Sequence, residues 1–276
     1  MSDPVNPQNP CHSPRFAFPK WANYLLPIIL LSLVGGAIVV PAVVMFGLSA
    51  ETLATGYQPD QPVPYSHEKH LRMGLDCATC HNTVYKANFA SVPSTEVCIR
   101  CHGPKKDAEG NEIKGTEQVH SNSPLLVPLH AAWNSGRPVK WAKVHNLPDY
   151  AYFSHASHTN RGIGCYSCHG RIDKMGATGT TDAVPGVVQV KNLSMAWCLE
   201  CHRAPEKNLR PVNQITNMEW QPLDAKSLPA FAGLRELQAA TTQDEAQAAL
   251  GAHLKGKDGY RIRSKEYMQS CSTCHR

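Results

Sequence analysis

Apolar positions are spread very unevenly along this chain. No charged residue occurs between Lys20 and Glu51, and the centre of that stretch, Leu25 to Phe46 (LLPIILLSLVGGAIVVPAVVMF), is almost wholly apolar. A helix that crosses a bilayer needs about 20 such residues, so the pattern predicts one membrane helix over 21–50. Pro27 and Pro41 are tolerated in spanning helices. Trp21 and Tyr24 stand where an interfacial aromatic belt would lie. A cleaved signal peptide has a shorter apolar region, about 7–15 residues, ending in a small-residue site. This run is longer and Leu48-Ser49-Ala50 is a poor site, which favours an uncleaved anchor. Arg15 and Lys20 precede the helix, so the positive-inside rule puts a tail of residues 1–20 in the cytoplasm and residues 51–276 on the outer, periplasmic face.

Downstream of the anchor the patterning predicts short helices in much irregular chain, with little or no sheet. Segment 231–254 (FAGLRELQAATTQDEAQAALGAHL) has helix-forming composition and predicts a longer surface helix. Segment 103–118 is polar and contains glycine, so it reads as a loop.

Composition then changes the picture. Aromatics make up 7% of the 276 residues, against 21 Pro and 19 Gly, so a core built from side chains alone would be thin and some other apolar mass is expected. A net charge of +5 without Lys or Arg runs argues against nucleic acid as a partner. The unusual counts are 11 Cys and 14 His. Ten of the cysteines form five C-x-x-C pairs and Cys11 is left over. Disulfide frameworks belong to much smaller secreted chains and do not repeat one short spacing, so the cysteines point to cofactor attachment.

Each pair is followed by histidine: Cys77-Ala-Thr-Cys80-His81, Cys98-Ile-Arg-Cys101-His102, Cys165-Tyr-Ser-Cys168-His169, Cys198-Leu-Glu-Cys201-His202 and Cys271-Ser-Thr-Cys274-His275. C-x-x-C-H is the attachment signature of c-type haem. The two thiols bond to the haem vinyl groups and the adjacent histidine becomes the proximal iron ligand, so the expected cofactor is five covalent c-type haems. The first two pairs are separated by 17 residues, a zinc-ribbon spacing. A ribbon does not require a histidine after every second cysteine, however, and the fifth pair has no partner pair. A redox C-x-x-C needs a βαβ context that this pattern lacks.

An internal repeat supplies the second ligands. Tyr65-Ser66-His67-Glu68-Lys69-His70 precedes the first motif and Phe153-Ser154-His155-Ala156-Ser157-His158 the third. The first histidine lies ten residues before the first cysteine in both, and Gly74 matches Gly162. A second C-x-x-C-H follows each block, after Ser94 to Val97 and Ser194 to Trp197. The outer domain therefore reads as two dihaem units, about 63–103 and 151–203, plus a terminal fifth haem at 271–275. An H-x-x-H on one helical turn presents both imidazoles near one face, where they can reach two neighbouring irons. His67, His70, His155 and His158 are distal candidates on that ground. His145 completes a set of five, with His120, His130 and His253 as rivals. Met195, three residues before Cys198, is an alternative for one haem, where a Met/His pair would raise the potential. Cys11 and His12 carry no assigned role.

The paired blocks resemble those of multihaem class III cytochromes c. More specifically, Trp141-Ala-Lys-Val-His145-Asn-Leu-Pro-Asp-Tyr-Ala-Tyr-Phe-Ser-His155, Leu193-Ser-Met-Ala-Trp-Cys198 and the terminal Ser270-Cys-Ser-Thr-Cys-His-Arg276 resemble the pentahaem subunit of alternative complex III, over roughly residues 60–205 and the last few. The resemblance implies an electron-relay subunit, not itself catalytic, in a quinol-oxidising respiratory assembly of the cytoplasmic membrane. Its implied partners, besides the lipid bilayer, are an iron–sulfur subunit that donates electrons and polytopic membrane subunits where quinol is oxidised. A monohaem cytochrome c or terminal oxygen reductase would accept them. Segment 205–268 carries no motif of that family. Two other function classes fit a single anchor with several haems. One is a self-contained quinol dehydrogenase of the NapC/NirT type, which typically has four haems. The other is a multihaem reductase of a small oxyanion or nitrogen compound, which needs an open iron.

Overall fold

The computed structural model describes residues 18–48, 54–106, 109–117, 119–120, 122–177 and 186–275. The N-terminal tail with Cys11, His12 and Arg15 lies outside them. The chain divides into two units, Met1–Thr52 and Leu53–Arg276.

In the first unit, helix α1 (Ala22–Ala42) runs on through a π-helical turn (Val43–Gly47). Together they make 26 residues, long and apolar enough to cross a membrane, with none of their side chains buried within the protein. Pro27 and Pro41 both lie inside α1, and the wider turn begins just after the second. A proline cannot donate to the helical ladder, and its ring displaces the preceding carbonyl. This is one helix suited to single-pass anchoring.

The second unit is short helices joined by irregular chain. They are α2 (His67–Arg72), α3 (Cys77–Cys80), α4 (Thr95–His102), α5 (Val127–Asn134), α6 (His155–Thr159), α7 (Tyr166–His169), α8 (Met195–Arg203), α9 (Arg235–Ala239), α10 (Gln243–Lys255), α11 (Lys265–Met268) and α12 (Cys271–Cys274). The sequence repeat is a structural one. Ser66 and Ser154 cap α2 and α6, each accepting a hydrogen bond from the amide three residues on at 3.3 Å. A serine oxygen there satisfies one of the helix's four unpaired amides. Gly74 and Gly162 end the two turns at φ of 85° and 80°. At Gly162 space is limiting as well, because a Cβ would sit 2.5 Å from the Arg210 carbonyl and 2.5 Å from the Tyr260 ring.

Segment 103–118 differs from the expected loop. It forms an antiparallel hairpin of β1 (Pro104–Lys106) and β2 (Glu112–Glu117). Gly110, at φ 87°, allows the chain to reverse in a conformation other residues resist, and main-chain pairing needs no apolar pattern. This is the one sheet among the described residues, so the architecture is helical with little sheet.

Segment 231–254 also differs from expectation. It is not one helix but α9 and α10, separated at Ala240–Thr242. Thr242 starts α10 with a reciprocal capping box, its hydroxyl accepting from the Glu245 amide and the Glu245 carboxylate from the Thr242 amide. Such a box fixes a helix start. Nor is the segment superficial. Leu237, Ala246, Leu250 and Leu254 are buried with Leu209, Trp220, Phe231 and Tyr260 in one apolar cluster. Gly251 lets α10 press onto the turn Pro205–Lys207, where a Cβ would fall 2.0 Å from the Glu206 carbonyl. The motif-free stretch is thus the best-packed side-chain core of the unit. A smaller cluster of Val63, Ile99 and Leu129, flanked by Trp133 and Trp141, lies beside the second motif.

Candidate haem sites

Each attachment motif sits at a short helix. Motif one is α3 with His81 as the residue that ends it, and motif three is α7 entered from Cys165. Motifs two and four close α4 and α8, and motif five is α12 followed by His275. One helical turn carries both thiols and the histidine to one side of the backbone. The ten motif cysteines are free thiols, not disulfides.

The histidine rings are held in a way the sequence does not disclose. His70 Nδ1–H donates to the Ser66 carbonyl and His158 Nδ1–H to the Ser154 carbonyl, both at 2.7 Å. His155 does so to Asn88 at 2.9 Å, His102 to Val119 at 2.6 Å, His202 to Met268 at 2.8 Å and His275 to Tyr150 at 3.0 Å. His81 Nδ1 faces the carbonyls of Ala90 and Ser91 at 3.0 and 2.9 Å. A carbonyl can only accept, so the proton lies on Nδ1 and the Nε2 lone pair is left free. That is the arrangement of a metal-ligating imidazole, whose other nitrogen is fixed by a hydrogen bond.

Aromatic residues clamp the repeat histidines. Tyr65 stacks on His70 at 4.4 Å and 24°, and Phe153 stacks on His158 at the same distance and angle. Each also meets the other histidine of its block edge-on at 4.8 Å. The signal was an aromatic residue at the same place in both repeats.

Facing pairs of imidazoles result. His70 and His102 have ring centroids 6.1 Å apart, and His158 and His202 6.2 Å. Two imidazoles on opposite sides of one iron, with metal–nitrogen bonds of about 2 Å, place their centroids roughly 6 Å apart. The residues therefore fit the group. His145 and His169 stand at 4.4 Å, so an iron between them requires those rings to part by about 2 Å. His145 Nε2 is buried without a partner, as are His169 Nδ1 and His67 Nδ1. Burial, then the charge of His145, lowers the His169 pKa to about 3, and burial with His81 lowers that of His67 to about 4. Burial also lowers His102, His145, His155 and His158. These rings stay neutral at physiological pH, the form in which imidazole binds a metal.

The rivals are placed otherwise. His130 directs Nε2 to the His102 carbonyl at 2.9 Å, which occupies the atom a ligand would use. His253 lies on α10, partly buried, with its ring 5.8 Å from Phe231 and its Nε2 without a partner; no motif histidine faces it among the ring contacts of the described residues. His120 is exposed and holds φ 53°. Met195 opens α8 and is 66% exposed.

Fold and site together have the features of one class, the multihaem cytochromes c, whose C-x-x-C-H motifs carry covalent c-type haem. Comparison with known proteins agrees. Residues 69–130 match the cytochrome c3 family. The multihaem cytochrome c subunit of a menaquinone reductase from Nitratidesulfovibrio vulgaris is 31% identical over 113 residues, 41% of this chain. The match spans 47%, about half, of that relative's length.

Proposed function

We propose that this chain is the pentahaem electron-relay subunit of a membrane-bound quinol:acceptor oxidoreductase of the alternative complex III type. Attachment would be through Cys77 and Cys80, Cys98 and Cys101, Cys165 and Cys168, Cys198 and Cys201, and Cys271 and Cys274. The proximal ligands would be His81, His102, His169, His202 and His275. The distal set would be His67, His70, His145, His155 and His158, with His70 opposite His102, His158 opposite His202 and His145 opposite His169. His67 and His155 both lie within electrostatic range of His81.

The observation that carries this reading is the facing of His70 with His102 and of His158 with His202 at 6.1 and 6.2 Å. An iron with two protein ligands has no position for a substrate and exchanges electrons only. Each haem supplies a one-electron carrier whose potential is set by ligands, burial and hydrogen bonds. The protein's part is to hold the imidazoles neutral and oriented and to cover the metal from water. The helix over Ala22–Gly47 would anchor the chain with its N-terminus cytoplasmic and the haem domain in the periplasm. Quinol would be oxidised in polytopic membrane partners, an iron–sulfur subunit would pass electrons in, and a monohaem cytochrome c or oxidase would take them.

A second reading shares the wire and reverses its direction. The relative's name is that of a menaquinone reductase subunit; in this reading electrons are delivered to the quinone pool instead of drawn from it. Purification of the tagged chain from native membranes, with mass spectrometry of its companions, tests both. Recovery with an iron–sulfur protein, polytopic subunits and a monohaem cytochrome, and haem reduction on adding quinol, support the first. Haem oxidation by added quinone points to the second. A chain recovered alone that oxidises quinol by itself would replace both with a self-contained quinol dehydrogenase.

A further inference from the structure

The motifs do not neighbour one another in chain order. The segment that follows motif one is stitched to the helix that precedes motif three. The Ala156 amide donates to the Ala87 carbonyl at 3.1 Å, the Thr159 hydroxyl to Val84 at 3.1 Å and the Asn160 amide group to Tyr85 at 2.8 Å. In return, the Glu68 amide on α2 donates to the Met175 carbonyl just past motif three, at 3.1 Å. The Cys77 and Cys165 side chains neighbour one another, so the cysteine edges of motifs one and three adjoin.

Motif two hangs on the other side of motif one. His70, from the block before motif one, faces His102 at 6.1 Å. Cys80 of motif one lies within electrostatic range of Cys101. At the far end, Cys168 of motif three neighbours Cys201 and Cys198 of motif four. His202 of motif four donates to the Met268 carbonyl, three residues ahead of motif five. Cys198 in turn neighbours Cys274. Motifs two and five are the ones that this tracing leaves at the ends.

We infer that electrons pass along the motifs in the spatial order two, one, three, four, five. This rests on the relay reading above. Each hop moves one electron from a reduced iron to an oxidised neighbour. Loop closure explains why chain order is broken: motif two lies 17 residues from motif one and can fold back over its outer side, while motif three reaches the inner side through the 84–88 contacts.

The order is tested by deleting motif two, with Cys98→Ser and Cys101→Ser together in the full chain. In the spatial order motif two is terminal, so the four haems left form one pool. After reduction and rapid mixing with a soluble monohaem cytochrome c, they should oxidise in a single phase. In chain order the deletion severs motif one from three, four and five, and a quarter of the haem absorbance would lag in a second phase; that result overturns the inference. If the double variant does not accumulate, iron positions in a cryo-electron microscopy map of the unaltered chain in its native assembly decide. The third iron flanked by the first and fourth upholds the order, and the second iron flanked by the first and third overturns it. Irons in the proposed order in a protein that passes no electron to the added cytochrome would leave the order standing and remove the relay reading.

Discussion

His158 and His202 face each other with ring centroids 6.2 Å apart, and His70 and His102 repeat that relationship 0.1 Å closer, at 6.1 Å. Two repeats that differ in most of their side chains arrive at one metal-sized gap. In both, the ring of the repeat block is set by the same pair of devices, a 2.7 Å bond to the serine carbonyl four residues back and an aromatic face at 4.4 Å.

His158→Met should leave covalent attachment intact, because the thiols are untouched. One haem of the set should change from imidazole–imidazole to imidazole–thioether ligation. Near-infrared magnetic circular dichroism reads the new ligand, and the midpoint of that haem should rise. Haem signals unaltered from those of the parent protein would remove His158 from the proposed ligand set.

Phe153→Leu keeps apolar volume and loses the aromatic face against His158. An aromatic pair contributes about 0.5–1.5 kcal/mol beyond its buried area, so thermal stability should fall by that order. The electron paramagnetic resonance lines of one low-spin haem should broaden as its ring gains freedom. Tyr65→Leu should do the same to a different haem. Sharp, unshifted lines in both variants would reduce the clamp to ordinary packing.

Gly251→Ala places a methyl 2.0 Å from the Glu206 carbonyl, against backbone that has no rotamer to yield. Overpacking typically costs about 1–3 kcal/mol, and the upper end is expected here. The urea midpoint should drop and segment 205–262 should become the first cut by protease. Gly256→Ala, whose nearest neighbour is 3.7 Å away, should change little. Equal tolerance of both substitutions would contradict the close approach of α10 to the 205–207 turn.

Arg171 forks onto Asp173 at 2.8 and 2.6 Å just after motif three. The Arg171 hydrogen bonds hold the Asp173 carboxyl below its usual value of 3.8. A depressed carboxylate stabilises the fold above its unfolded pKa and loses that contribution as pH falls through the folded one. Stability of the native protein should therefore decline below about pH 4, and Asp173→Asn should flatten that part of the acid limb while lowering stability at pH 7. The effect is modest because Arg171 stays one-third exposed (34%). An acid limb identical in both proteins would dismiss the pair.

The C-x-x-C-H motifs, the repeat and the long apolar helix were legible because each rests on residue identity. Only cysteine forms the thioether, only histidine offers the adjacent imidazole, and a 26-residue helix without a charged side chain has few other uses. The ring tethers were illegible for the opposite reason. Asn88, Val119, Met268 and Tyr150 serve through carbonyls, which every residue has. The break between α9 and α10 could have been read from Thr242-Gln243-Asp244-Glu245, a capping-box pattern inside what composition alone showed as one helix. The hairpin at 104–117 is held by main-chain pairing in a polar segment, where alternation gives no clue. The spatial order of the motifs depends on hydrogen bonds between segments some 75 residues apart, a separation that no local spacing rule reaches.

The tethers on seven histidines end on peptide carbonyls and not on carboxylates. A carbonyl has no proton to gain or lose between pH 5 and 9, whereas a carboxylate partner would tie ligand basicity to acidity. On these seven rings, then, the group that orients the imidazole adds no protonation step of its own, and the hold on each ring stays the same as the surrounding acidity changes.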